Sequence, residues 1–203
     1  MKSDNIDLRI KEGNKTATIL AKYLNKKFGY EFQSVSLEED KRDMIDFRCS
    51  KTGKTAQFKC RDNKSDIIFE AKRFYVNDNG IQEIDGRDCR SKSELYICLS
   101  SDKKKIIAAR TENVKEIVQK ELAKINCNSE NLYGFIKSAN NEKNKSLKLT
   151  DSPKKIQAWF KIDEGKDTRE YYKLLVFIPY EAILNGVKIE LKNKENLLDE
   201  GTW

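Results

Sequence analysis

Histidine is absent from the chain, and its five cysteines are not grouped in any C-x-x-C pair. These absences exclude a catalytic triad that uses histidine, and they argue against a zinc site. An odd number of cysteines, with no secretion signal ahead of them, also argues against a disulfide framework. Any acid–base chemistry must therefore use carboxylates, lysines, tyrosines or water bound to a metal ion.

The chain also lacks long apolar runs, the apolar core of a signal peptide and the glycine-rich loops of common nucleotide-binding motifs. We therefore expect a cytoplasmic protein with no membrane partner. Its 203 residues are enough for one sizeable core, with hydrophobic residues at 38% and charged residues at 36%. The net charge of +7 favours an anionic partner, although lysine-rich surfaces also occur without one.

Residues 44–61 have the clearest strand pattern in the chain. Two stretches of alternating apolar and polar residues flank a glycine-containing turn at residues 50–54, and this arrangement predicts a β-hairpin. Pairing of the two strands would turn one apolar face toward a core and gather Asp46, Gln57 and Lys59 on the other face. The carboxylate and the amide oxygen could bind a divalent cation, and the ammonium could orient water or stabilise charge on a phosphoryl group.

Asp46, ten intervening residues and then Gln57-Phe58-Lys59 resemble the signature of the PD-(D/E)XK nuclease superfamily, in the glutamine variant of Mrr-type restriction nucleases. The match covers roughly the first half of the chain. In that superfamily the acid lies on the second strand of a meander and the triplet on the third. The resemblance implies an α/β (α+β) fold, with a central mixed β-sheet flanked by helices in a restriction-endonuclease-like core.

The same resemblance implies a function for the site. Asp46 and Gln57 would bind Mg²⁺ or Mn²⁺, and Lys59 would position the attacking water or neutralise the phosphorane. The protein would then be an endonuclease, with DNA as the expected partner. Nucleases that cut both strands often act as symmetric dimers, but no patch of this sequence identifies a homodimer interface.

Two further acids are candidates for this site. In many such nucleases the first helix supplies an acid to the metal, and here Glu12 lies at or just before the helix predicted over residues 14–28. An exposed charge near a helix N-terminus explains Glu12 equally well. Glu70-Ala71-Lys72, on a strand predicted over residues 67–75, is a competing triplet, but no aspartate on a strand precedes it at hairpin distance. Glu70 would be an auxiliary acid only if its strand lies next to the second one.

The rest of the chain continues the alternation of strands and helices. We predict a strand at 30–36, a charged connection at 37–43, a loop at 77–92, strands at 94–100 and 105–109, a helix at 112–125, a basic loop at 140–155, and strands at 156–162, 171–178 and 187–191. We predict a nuclease-like core over residues 1–139 and a β-rich C-terminal extension over residues 140–203, packed on the same domain. Four arginines are candidates for phosphate contacts, although surface solvation explains them as well: Arg61, Arg73, Arg87 and Arg90.

Three functions are therefore compatible with the sequence. The first is a metal-dependent nuclease, which the motif favours because it occurs in its expected strand–turn–strand context. The second is a catalytically silent nucleic-acid-binding or regulatory protein on the same scaffold. The third is a basic protein that binds other proteins, with Asp46 and Lys59 in a cross-strand ion pair worth less than about 1 kcal/mol.

Overall fold

The computed structural model describes residues 3–60, 66–77, 80–99, 105–124, 134, 146–148, 157–164, 170–179, 182–183 and 187–190. The described helices are α1 (Ser3–Phe28), α2 (Leu37–Asp43), α3 (Arg87–Arg90) and α4 (Thr111–Leu122). The described strands are β1 (Phe32–Ser34), β2 (Phe47–Cys49), β3 (Thr55–Cys60), β4 (Asp66–Asn77), β5 (Gly80–Asp85), β6 (Leu95–Leu99), β7 (Lys105–Arg110), β8 (Ser146–Lys148), β9 (Gln157–Glu164), β10 (Glu170–Pro179) and β11 (Val187–Glu190). No helix in these ranges is long and apolar enough to cross a membrane.

The chain forms two compact units, and each unit is assembled from separate parts of the sequence. The first unit comprises Met1–Ser65, Ser91–Thr111 and Asn185–Trp203, and the second comprises Asp66–Arg90 and Glu112–Leu184. Over the described residues, the first unit contains a six-stranded sheet in the order β1-β2-β3-β6-β7-β11. The second contains a five-stranded sheet in the order β5-β4-β10-β9-β8.

This division differs from the predicted core and C-terminal extension. The predicted boundary between residues 139 and 140 itself lies outside the described residues. Strands from the last quarter of the chain pair with strands from the first two thirds, since β10 pairs with β4 and β11 pairs with β7. Strand pairing over long sequence separations therefore determines the units, and composition along the chain does not reveal it.

In the first unit, the sheet is mixed and one of its faces packs on α1. The β2–β3 and β6–β7 pairs are antiparallel, whereas β3 and β6 are parallel. This sheet, together with the helices, confirms the predicted α/β (α+β) class with a mixed sheet. The apolar stripe of α1 and the inward residues of the strands form one buried cluster: Leu20, Ala21, Tyr23, Leu24, Phe32, Phe47, Cys49, Ala56, Phe58, Ile97, Leu99 and Ile106.

Two helices differ from their predicted form. α1 begins at Ser3 rather than at residue 14; the helix continues through Gly13, which costs only about 1 kcal/mol relative to alanine. It ends at Phe28 as predicted, where Gly29 takes a left-handed φ of +67°. The predicted connection at residues 37–43 is instead α2, because the Ser36 side chain accepts a hydrogen bond from Glu39 N and caps it.

In the second unit, all described strand pairs are antiparallel, and the predicted loop at residues 77–92 is largely ordered. Strand β5 pairs with β4, with Asn77 opposite Gly80, and α3 follows directly. A β-bulge interrupts the pairing of β4 with β10, because Lys72 lies opposite Leu174 but Glu70 lies opposite Leu175. Ala71 is therefore the extra residue on β4.

The remaining predicted strands and helix agree with the described parts of the structure, whereas the predicted basic loop at 140–155 is wrong where a strand forms. The hairpin predicted at 94–100 and 105–109 is β6 and β7, and the helix predicted at 112–125 is α4. The strands predicted near the C-terminus are β9, β10 and β11. The predicted basic loop at 140–155 contains the short strand β8, and its other residues lie outside the described ranges.

Candidate functional site

The pairing of β2 with β3 brings Asp46 next to the strand that carries Gln57 and Lys59. Phe47 lies opposite Ala56, and Asp46 N donates to Ala56 O at 3.0 Å just before β2 begins. Asp46 itself lies outside β2: its N–H points toward β3 while its carbonyl accepts from Val35 N at 3.2 Å, so Asp46 does not continue the β2–β3 register. Gln57 and Lys59 share one face of β3 because side chains alternate along a strand. The gathering of all three side chains on one face stays a prediction.

The intervening residue Phe58 points the other way and anchors β3 in the core. Its ring stacks on that of Phe47, with centroids 4.6 Å apart, and both rings are buried. Because Phe58 is held in the core, its neighbours in the chain, Gln57 and Lys59, must point away from α1. Burial of Phe58 therefore determines the direction in which Gln57 and Lys59 point.

Asp46 also has a structural contact. Its Oδ2 atom accepts a hydrogen bond from Phe58 N at 2.7 Å. Met44, with a φ of +55°, turns the backbone between α2 and Asp46. The Asp46 carboxylate accepts the hydrogen bond that a backbone carbonyl would accept from Phe58 N if the β2–β3 ladder were longer. A carboxylate has about four lone-pair positions, and this hydrogen bond does not prevent it from binding a cation.

Gln57 and Lys59 differ strongly in exposure. Gln57 is fully buried, and its parallel neighbour on β6 is Tyr96, which is also fully buried. Lys59 is half-buried and lies beside Cys98 in the same register, with its Nζ atom 6.0 Å from the centroid of the Tyr96 ring. This distance is at the outer limit of a cation–π contact. Tyr96 and Cys98 thus flank the motif.

Sequence reasoning missed these two neighbours. Alternation along residues 94–100 puts Tyr96 and Cys98 on one face of a strand. It does not show that this strand runs parallel to β3 and next to it. That information lies in the sheet order, which separates sequence neighbours and joins distant strands.

The oxygen donors at this site are few but of a suitable type. Asp46 supplies a carboxylate and Gln57 an amide oxygen, which are ligands that Mg²⁺ accepts together with water and substrate phosphate. Within the described ranges, no group of three or more cysteine, aspartate or glutamate side chains is arranged to hold a metal ion. Among the described side chains, the donors for a cation at this site are thus the Asp46 carboxylate and the Gln57 amide oxygen.

The competing triplet Glu70-Ala71-Lys72 does not have the geometry of a site. Glu70 lies opposite Leu175 and Lys72 opposite Leu174, which are consecutive residues of β10. Consecutive residues of a strand point to opposite faces, so the bulge sends Glu70 and Lys72 to opposite sides of the second sheet. An auxiliary role for Glu70 would require its strand, β4, to lie next to β2. The described sheet neighbours of β2 are instead β1 and β3.

The contacts of Glu70 explain why a carboxylate occurs at this buried position. Its side chain accepts hydrogen bonds from Arg73 Nε and, at 2.9 Å, from Arg87 N, and its Oε2 lies 3.5 Å from Lys173 Nζ. Burial by itself would raise the pKa of Glu70, but Arg73 and Lys173 hold that pKa below its ordinary value. Lys72 pairs separately with Asp85 and Glu83, at 2.9 and 3.0 Å. Glu70 and Lys72 thus both take part in structural ion pairs.

The other predicted site residues have varied positions. Glu12 lies within α1 rather than at its start, and its side chain lies outside the described part of the structure, as does all of Arg61. Arg73 is paired with Glu70. Arg87 and Arg90 form the ends of α3 rather than part of a loop, and Arg90 is exposed. Of the three arginines whose side chains are described, Arg90 therefore has the exposure that a phosphate contact requires.

Comparisons with known proteins do not extend this geometric description. No family model, curated protein or solved structure matches the chain. The candidate site is accordingly defined by Asp46, Gln57 and Lys59 in the first sheet, with Tyr96 and Cys98 beside them.

Proposed function

We propose that this chain is a metal-dependent nuclease that hydrolyses phosphodiester bonds, with DNA as its expected substrate. One observation carries the proposal: Asp46 lies directly beside β3, since its N–H bonds to Ala56 O and its carboxylate accepts from Phe58 N, on either side of Gln57 in the chain, and Lys59 follows Gln57 on the same face of β3. A carboxylate, an amide oxygen and an ammonium in this order can hold a cation and a scissile phosphate next to each other.

Each of the three residues has a separate role in the proposed reaction. Asp46 and Gln57 would hold Mg²⁺ or Mn²⁺, which when bound supplies a Lewis acid for the phosphate and lowers the pKa of coordinated water. Lys59 would orient the attacking water or stabilise the charge that develops on the phosphoryl oxygens. Gln57 adds no negative charge, so we expect a weaker metal site than one built from two carboxylates.

Two features support this assignment over the competing triplet. The bulge in β4 separates Glu70 from Lys72, and both residues are engaged in ion pairs with neighbours in the second unit. Asp46 and Lys59 are half-buried rather than sealed, so both can be reached from solvent. The net charge of +7 favours a polyanionic substrate.

A second candidate function is a catalytically silent nucleic-acid-binding protein on the same scaffold. Two observations favour it, namely the hydrogen bond that Phe58 N donates to Asp46 and the full burial of Gln57. Both would be expected if the motif residues served the stability of the sheet. This candidate predicts salt-sensitive binding of nucleic acid without strand scission under any metal.

The decisive experiment incubates the full chain with plasmid DNA, single-stranded DNA and RNA in Mg²⁺, Mn²⁺ or EDTA. We expect cutting that requires metal and is lost in Lys59→Ala, with the urea unfolding midpoint unchanged. Lys54 is an exposed lysine in the β2–β3 turn, so the Lys54→Ala variant is the matched control and should cut normally. Binding without cutting under every metal would support the silent protein instead.

Two further variants separate the triplets. Gln57→Glu introduces a second carboxylate and should retain or raise activity, because it adds a charged ligand for the cation. Lys72→Ala should change activity little, since its ammonium is paired with Asp85 and Glu83. An inactive Lys72→Ala protein beside an active Lys59→Ala protein would reverse the assignment.

A further inference from the structure

Two aromatic side chains are exposed next to each other where α1 ends and β1 approaches. Three large apolar side chains are exposed among the described residues, Phe28 at 44%, Tyr30 at 44% and Leu37 at 65%. The rings of Phe28 and Tyr30 are neighbours, with centroids 6.4 Å apart at an interplanar angle of 53°. Single exposed apolar residues are ordinary on protein surfaces, whereas two adjacent exposed rings offer a planar surface on which another planar group can stack.

Buried rings hold this pair in place. Tyr30 packs on Phe32 at 5.4 Å, and Phe32 packs on Phe58 at 5.5 Å, while Phe28 packs on Tyr23 at 6.3 Å. Phe32, Phe58 and Tyr23 are all buried in the core of the first unit. The exposed rings are therefore the outer members of a row that is anchored in the core, and little side-chain freedom would be lost on binding.

Three lysines lie near the two rings in the chain or by contact. Lys26 and Lys27 form the last turn of α1 and are exposed. Lys51, from the turn between β2 and β3, donates to the carbonyl of Gly29 at 2.8 Å and pairs with Glu31 at 3.2 Å. Lys51 thus offsets both the helix C-terminus and the adjacent carboxylate, and Lys27 adds a further exposed ammonium next to Phe28 in the chain.

We propose that this patch, formed by Lys26, Lys27, Phe28 and Tyr30, binds single-stranded nucleic acid. Planar rings that are exposed and held rigid can stack on unpaired bases, and nearby lysines can contact the phosphates between them. A duplex would not present its bases to the rings in this way. The patch joins the face of β3 that carries Phe58, opposite to the side that carries Gln57 and Lys59. The proposal therefore does not depend on the nuclease assignment.

The test measures the anisotropy of a labelled oligothymidine of about 15 nucleotides, near the upper site size of known single-strand binders. The full chain carries Lys59→Ala and the buffer contains EDTA, so that strand cutting cannot affect the result. We expect Phe28→Ala and Tyr30→Ala each to weaken binding by about 5- to 150-fold, the range for loss of one stacked base. Tyr30→Trp, which keeps an aromatic ring, should retain binding.

Leu37→Ala is the matched control, because Leu37 is exposed but is outside the row of rings, and it should leave the affinity unchanged. The double variant Lys26→Gln and Lys27→Gln should reduce the slope of log affinity against log salt by about 1.4, because each phosphate that a lysine neutralises on a single strand contributes about 0.7 to that slope. Circular dichroism and the urea midpoint should not change in any of these variants.

Three results would overturn the proposal. The first is an affinity for oligothymidine that neither aromatic variant alters. The second is an equal loss of affinity for duplex DNA of the same length, which would mean that stacking on unpaired bases is not involved. The third is a shift from dimer to monomer in sedimentation when the rings are removed, which would assign the patch to a second copy of the chain.

Discussion

Asp46 is the residue at which a structural role and a catalytic role would coincide. Its carboxylate accepts the hydrogen bond from Phe58 N that ends the β2–β3 ladder, and it is also the proposed metal ligand. Both roles use oxygen lone pairs, but only metal binding requires the negative charge. Substitutions that keep the oxygen and remove the charge can therefore separate them.

We predict that Asp46→Asn and Asp46→Ala will differ in stability but not in activity. Asparagine retains an oxygen that can accept from Phe58 N, so its free energy of unfolding should stay within about 1 kcal/mol of the wild type. Alanine leaves that N–H without its partner, at a cost of about 1–3 kcal/mol. Both variants should lose metal-dependent cutting. Urea unfolding and plasmid cleavage measure the two effects, and an Asp46→Asn protein that still cuts would exclude Asp46 as the metal ligand.

Glu70 illustrates how a site-like triplet can be structural. Burial would raise its pKa, but the Arg73 guanidinium and the Lys173 ammonium hold that pKa below its ordinary value, so the carboxylate remains charged. Its charge is matched locally, and its oxygen also receives the backbone N–H of Arg87 at the start of α3. The E-x-K pattern does not reveal these contacts, because Arg87 and Lys173 approach from α3 and β10 and only Arg73 follows the triplet on β4.

At the scale of elements, the join between β5 and α3 depends on close backbone contact. Gly86 N donates to Ala71 O at 2.8 Å, at the residue that forms the bulge in β4. A Cβ atom at Gly86 would lie 2.2 Å from the carbonyl oxygen of Glu70 and 2.8 Å from the carbonyl carbon of Ala71. Because backbone atoms rather than a flexible side chain occupy this space, even one methyl group cannot be accommodated without movement.

We predict opposite effects for Gly86→Ala and Gly13→Ala. The first should lower the free energy of unfolding by about 1–3 kcal/mol, because overpacking displaces the backbone of β4. The second adds a methyl group within α1, where nothing lies within 4 Å, and should raise it by about 0.5–1 kcal/mol because alanine is the better helix former. Urea unfolding of both variants is the measurement. An unchanged midpoint in Gly86→Ala would mean that the contact with β4 is not maintained.

At the scale of the whole molecule, the two units are interleaved along the chain. The second unit joins Asp66–Arg90 to Glu112–Leu184, and the chain between them belongs to the first unit. β10 lies between β4 and β9 in the second sheet, so its removal would separate β4 from the strands that follow. Apolar residues on β4, including Ile67 and Phe69, are fully buried in the complete chain.

We therefore predict that a fragment of residues 1–139 will not fold cooperatively. It would lack β10, the partner of β4, and β11, the partner of β7. An isolated β4–β5 hairpin would expose its apolar face, and two strands alone are at best marginally stable in water. Gel filtration and urea unfolding of the fragment are the measurements. Recovery of a cooperative transition on mixing with residues 140–203 would support the pairing, whereas a cooperative fragment alone would contradict it.

The amino-acid sequence by itself determined the local features of this protein. Alternation and periodicity located the β2–β3 hairpin, β6, β7, α4 and the strands near the C-terminus, since burial of one face imposes a period on each element. The same alternation put Gln57 and Lys59 on one face of β3, whereas the shared face of Asp46 stays a prediction.

The tertiary structure alone decided which strands are neighbours. It placed Tyr96 beside Gln57, joined β10 to β4, and introduced the bulge that separates Glu70 from Lys72. It also formed β5 within a stretch rich in turn-forming residues, because pairing with β4 outweighed the preference of those residues for turns. These outcomes depend on contacts between residues far apart in the chain, and such contacts leave no period in the sequence.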